Sequence, residues 1–134
     1  MKDYKELVVW QKSIHLTTES YRITENFPKT ETFGLRGQVR RAATSVPANI
    51  AEGWGRGSAR EYIQFLTVAS GSLLELETHL IVSEELGFLD KTKSETARAL
   101  IVDIGKMLTR LMQSLRARSR ALHPESRVPS PESR

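Results

Sequence analysis

Between Tyr62 and Leu115 apolar side chains return mostly at every third or fourth position in two runs, each inside a segment on the order of 25 residues long. The first run is Tyr62, Phe65, Leu66, Ala69, Leu73, Leu76 and Leu80; the second is Ala97, Ile101, Ile104, Leu108, Leu111 and Leu115. A helix of that length reaches about 40 Å at 1.5 Å per residue. Nothing alternates with period two for long, and no Asn-Gly or Asp-Gly hairpin signal occurs. Two long amphipathic rods therefore set the frame for everything N-terminal to them.

That N-terminal part reads as two more helices. From about Lys5 to Phe27, Trp10, Ile14, Thr17, Tyr21 and Thr24 make the main stripe, with Val9, Leu16 and Ile23 a second one at sevenfold spacing, and Pro28 stops the helix. The next segment begins near Thr32, whose hydroxyl can cap it, and ends in the Gly53–Gly57 turn. Its seam, Leu35, Val39, Ala42, Val46, Ile50 and Gly53, is narrow and built of small residues. Pro47 lacks an amide proton and crowds the carbonyl four residues back, which predicts a kink near Ala43. Ser58 and Glu61 form a capping box for the third helix, Gly87 supplies its left-handed stop, and the fourth starts at Asp90 or a few residues later.

Four long helices with short links predict an all-α, antiparallel up-and-down four-helix bundle over residues 1–118. Residues 119–134 mix Pro, Ser, Arg and Glu without periodicity and are expected to form a disordered tail that contains His123. Apolar residues outside the main stripes, such as Ile63, Leu74, Ile81, Leu100 and Met107, need cover. The simplest cover is another copy of the chain, giving a closed homo-oligomer; a fatter core is the alternative.

The chain carries a net charge of +4. Lys29, Arg36, Arg40, Arg41, Arg56 and Arg60 face only Glu31 and Glu52 over their stretch, so this segment holds the whole excess. Such a segment points to polyanions, above all nucleic acid, or else to solvated arginines paired locally. Arg36, Arg40, Arg41, Arg56 and Arg60 are the nucleic-acid candidates, because guanidinium groups stay charged and bind phosphate bidentately. Arg41 is the one expected to turn inward and pair with Glu52, Glu75 or Glu77, which leaves Arg40, Arg56 and Arg60 for RNA. Trp54, between glycines, serves base stacking or an oligomer contact, while Trp10 anchors the core. Lys12, Arg22, Lys106, Arg110, Arg116 and Arg118 read as solvated positions, the last two extending the basic surface.

Little supports catalysis. With no cysteine there is no thiol nucleophile or disulfide framework. His15, His79 and His123 lack a metal-ligand spacing, and no Glu has a His three residues on, as a ferritin-like centre requires. No catalytic residue, metal or cofactor is assigned, and a non-enzyme is expected. The apolar run Leu7–Trp10 is short for a signal peptide, and no stretch approaches membrane-spanning length, so a cytoplasmic protein without membrane contact is expected.

The blocks LVVWQKSIHL, FPKTETFGLRGQVRRAATSVPANIAEGWGRGS, EYIQFLTVASGSLLELETHL and the GFL after them resemble the four-helix bundle proteins encoded by intervening sequences inside bacterial 23S ribosomal RNA genes. The resemblance covers roughly residues 4–116. It extends to the accessory variability determinant proteins of diversity-generating retroelements. It implies a homopentameric ring with a basic surface, a role at fragmented ribosomal RNA and, in the retroelement branch, nucleic acid and a reverse transcriptase as partners.

Overall fold

Short links fold each helix back along its predecessor. The computed structural model describes residues 2–122. It contains α1 (Val8–Ile23), α2 (Leu35–Trp54), α3 (Ala59–Glu85) and α4 (Glu95–Leu122), with short 3-10 turns at Tyr4–Glu6 and Lys29–Glu31. Among the described residues there is no strand. The helices pack in the circuit α1–α2–α3–α4–α1. Their facing residues run in opposite directions: Gly53 lies against Tyr62 and Phe65 near the α2–α3 turn, and Ser45 meets Ser72 at 2.7 Å further from it. Lys12 on α1 reaches Asp103 on α4 at 3.0 Å and closes the circuit. The architecture is the antiparallel four-helix bundle that the periodicity implies.

The α2–α3 pair is the tightest, and small residues are the reason. A Cβ on Gly53 would stand 2.9 Å from both Phe65 Cβ and Tyr62 Cδ1, so only glycine lets the two backbones approach there. Leu16, Val39, Val46, Ile50, Leu66, Leu76, Leu80, Ile104 and Leu108 are fully buried at the bundle axis. Each is stabilised by roughly 1.5–3 kcal/mol on leaving water.

On α1 the two stripes exchange roles. Val9, Leu16 and Ile23 form the core face, whereas Ile14 and Tyr21 of the presumed main stripe are exposed. Ser13, Ser20 and Thr24 complete the buried face with hydroxyls. Those of Ser20 and Thr24 donate four residues back, to the carbonyls of Leu16 and Ser20, at 2.7 and 2.8 Å, and Ser13 donates to the Trp10 carbonyl at 2.7 Å. The hydroxyls satisfied within the helix let polar residues sit where an apolar count expects none. Glu19 is also buried; the hydrogen bond from Arg22 holds its carboxyl below the usual glutamate range against the opposing effect of burial.

Pro47 does not break α2, which runs unbroken from Leu35 to Trp54. The carbonyl that Pro47 leaves without an amide is that of Ala43. Thr17 of α1 offers a partial replacement: its one hydroxyl proton is shared between the Ala43 oxygen, 3.1 Å from Oγ1, and the Ser13 oxygen of its own helix at 2.8 Å. The start of α2 also differs from expectation. Thr32 donates back to the Lys29 carbonyl, and the Glu31 carboxylate accepts from the Leu35 amide at 3.1 Å instead. A carboxylate suits the positive end of a helix.

Ser58 caps α3 by accepting from the Glu61 amide, and the Glu61 carboxylate takes the Ser58 hydroxyl in return, each at 3.2 Å. Gly87, at φ +77°, follows the end of α3 as expected. Asp90 caps a turn through Thr92 and α4 opens later, at Glu95. At its far end α4 continues to Leu122, past Arg118 where the apolar pattern fails; the rest of the expected tail, including His123, lies outside the described residues. One expectation is overturned by α3, which is long and apolar enough to cross a membrane by length and composition. Here its Tyr62–Leu80 face is core.

Candidate nucleic-acid interface

The five arginines picked out by charge density do not form one patch. Arg36 and Arg40 leave the first turns of α2 against the end of α1, whereas Arg56 and Arg60 flank the α2–α3 turn. At 1.5 Å per residue, α2 runs about 21 Å from Arg40 to its end at Trp54, two residues before Arg56.

Arg40 is a clamp. Its Nε donates to Thr24 Oγ1 at 3.0 Å, and its Nη2 donates to the Tyr21 carbonyl at 3.1 Å and to Glu25 Oε2 at 3.3 Å. Its guanidinium lies 4.4 Å from the centre of the Tyr21 ring, and its side chain is 18% exposed. Arg36 stands 3.8 Å from the same Glu25 carboxylate, and its buried Nε has no partner among the described residues. The expectation for the neighbouring pair is thereby reversed: Arg40 has the carboxylate, while Arg41 is exposed and makes no ion pair among the described residues. Successive residues on a helix differ by about 100° in direction, and here the inward one of the pair is Arg40, aimed at α1. The acids proposed for Arg41 are engaged elsewhere in two cases, Glu52 with Arg56 at 3.6 Å and Glu75 with His79 at 3.3 Å.

Arg56 is half-exposed, 3.6 Å from Glu52, 3.9 Å from Glu61 and 5.0 Å above the Phe65 ring. Pairs this loose on a surface contribute about 0–1 kcal/mol, so a phosphate competes with them easily. Arg60, the second residue of α3, is exposed and makes no ion pair among the described residues.

Beside Arg60 the end of the bundle opens into a cleft of about 580 Å³. Its walls come from three places: Gly53 and Trp54 at the end of α2, Gly57 to Arg60 and Tyr62 across the turn, and Leu115, Arg118, Ser119 and Leu122 on the last turns of α4. Trp54 is half-buried and stands edge-on to Tyr62, ring centres 6.4 Å apart at 90°. The Tyr62 hydroxyl is buried without a partner among the described residues, and burial pushes that phenol's pKa up. Trp10 is partly buried against the core and packs edge-on to Tyr4.

Arg118, expected only as a solvated position that extends the basic surface, lines the cleft. It belongs to a run, Lys106, Arg110, Arg116, Arg118 and Arg120, that contains no acid and is exposed throughout. The absence of acids from this run is the signal in the sequence that could have singled it out. Among the described residues no group of three or more His, Asp or Glu side chains is placed to hold a metal ion.

The family described as 23S rRNA-intervening sequence protein matches residues 5–110. The chain belongs to that family. The family match takes in Arg36, Arg40, Arg41, Arg56, Arg60 and Trp54, and it stops short of Arg118. A crystal structure from Bacteroides thetaiotaomicron, of a protein of unknown function in the S23 ribosomal protein family, is similar to this chain with a TM-score of 0.70. The two are 24% identical over 78% of this chain and 98% of that one, a likeness that shows the fold. Among curated proteins none matches the chain.

Proposed function

We propose that the protein is a non-enzymatic, sequence-tolerant RNA-binding protein that works at 23S ribosomal RNA as a closed homo-oligomer, a pentamer by resemblance. The observation that carries the reading is the convergence of Arg60 and Arg118, from α3 and α4, on one cleft without an acidic partner among the described residues. Arg56, Arg116 and Arg120 add charge at the same end of the bundle, and family membership supplies the RNA. The exposed apolar residues Leu74, Ile81 and Val102 on α3 and α4 support the oligomer, since a second copy would remove them from water.

The test is binding to a labelled 23S ribosomal RNA fragment across a salt series, together with light scattering. The logarithm of affinity should fall linearly with the logarithm of salt, by roughly 0.7–0.9 per phosphate contacted. Arg60→Glu with Arg118→Glu should flatten that slope and abolish binding at moderate salt. Affinity indifferent to salt and to both substitutions overturns the reading and favours an adaptor for a protein such as a reverse transcriptase. A monodisperse monomer in dilute buffer overturns the oligomer.

A further inference from the structure

The cleft at the α2–α3 turn is more than a charged surface. We propose that it is a pocket for a single nucleotide unit, holding the base against Trp54 and a phosphate monoester between Arg60 and Arg118. The inference rests on the RNA-binding reading only for its choice of ligand; the pocket is defined by its own geometry.

Its volume of about 580 Å³ falls within the roughly 300–1,000 Å³ of pockets that enclose small ligands. Two kinds of wall meet in it. Trp54, Tyr62 and Leu115 offer aromatic and aliphatic surface, and Arg60 and Arg118 offer two fixed positive charges from separate helices. Planar apolar surface beside paired guanidinium groups matches a base joined to a phosphate, not a peptide or an acyl chain.

The phosphate has a third source of attraction. Ala59 and Arg60 are the first residues of α3 and line the cleft. Amides in a helix's first turn have no partner within the helix and lie at its positive end, where phosphate is favoured. The carboxylate of Glu61, next in sequence to Arg60, is held by the Ser58 hydroxyl at 3.2 Å and lies 3.9 Å from Arg56; Glu61 does not line the cleft. At Gly57, φ is +85°, a conformation other residues adopt only with strain, and a Cβ there would meet nothing within 4 Å. The turn thus leaves open the space that a side chain would otherwise occupy.

Fluorescence gives a direct reading, because Trp54 is one of two tryptophans and a base stacked on it quenches its emission. The full chain is titrated at low salt with AMP, with a short 5′-phosphorylated oligoribonucleotide and with the same oligomer bearing a 5′-hydroxyl. AMP or the phosphorylated oligomer should quench, and Trp54→Phe should remove the signal. Arg60→Ala with Arg118→Ala should weaken either phosphate ligand by roughly tenfold or more, and the 5′-hydroxyl oligomer, whose only phosphates are internal diesters, should bind more weakly than the phosphorylated one to the unsubstituted protein and lose less in the double variant. Both arginines are exposed, and unchanged circular dichroism of the double variant shows that the loss is not one of folding. Quenching by AMP alone assigns the pocket to free nucleotides, and quenching by the phosphorylated oligomer assigns it to strand ends. Absence of quenching by both, or equal affinity in the double variant, overturns the proposal. Steep salt dependence with long RNA in that case leaves the RNA-binding reading standing. A pocket that takes AMP in a protein indifferent to long RNA has the opposite outcome.

Discussion

Arg40 and Arg60 sit in the same basic segment, yet the bundle uses them in opposite ways. Arg40 spends its donors on Thr24, Tyr21 and Glu25 and fastens α2 to α1. Arg60, past the turn, has no acidic partner among the described residues and faces a cleft shared with Arg118. Charge density in a sequence reports neither fact. What separates the two is whether a neighbouring helix offers acceptors at the height where the arginine emerges.

This contrast can be broken by substitution. The largest effect belongs to Arg40→Ala, which removes a mostly buried guanidinium and leaves Thr24 and the Tyr21 carbonyl short of a donor. Chemical denaturation should show a loss of about 2–3 kcal/mol, with RNA affinity changed no more than the fraction unfolded requires. If Arg40→Ala instead abolishes RNA binding at unaltered stability, the clamp is the wrong description.

Thr17→Val comes next and tests the same α1–α2 seam without touching a charge. It keeps the side chain's shape and leaves the Ala43 carbonyl without its donor, so the denaturation midpoint should fall by the equivalent of about 1–2 kcal/mol. Pairing it with Pro47→Ala sharpens the point. The alanine restores an amide for Ala43, and the cost of Thr17→Val should then shrink.

The smallest effect on stability belongs to the other region. Arg60→Ala with Arg118→Ala should move the melting curve by the equivalent of less than about 0.5 kcal/mol, as surface changes usually do. A large loss of stability there would erase the contrast and make these arginines structural as well.

The helices were legible because apolar spacing dictates them. Leu66, Leu73, Leu76 and Leu80 fall on the core face of α3 as their period requires, and Ser58 and Gly87 mark its ends. On α1 the reading chose the larger residues Trp10, Ile14 and Tyr21 over Val9, Leu16 and Ile23. It missed that Ser13, Ser20 and Thr24 can be buried when their hydroxyls bond within the helix. The candidate interface was half legible. Arg56, Arg60 and Trp54 stand close together in sequence and in space, whereas Arg118 joins them only because α4 runs antiparallel to α3 and ends beside the turn. Which of Arg40 and Arg41 turns inward depends on the angle at which α1 crosses α2, and no local pattern encodes that.

The Thr17–Ala43 bond gives α1 and α2 an alignment mark. An ordinary helix pair can slide by a turn and trade one set of greasy contacts for a similar set. Here a slipped pair takes the Thr17 hydroxyl away from an oxygen whose amide partner four residues on is already missing at proline. A residue usually seen as a flaw in a helix thus selects a single docking arrangement, and with it fixes where both groups of arginines emerge.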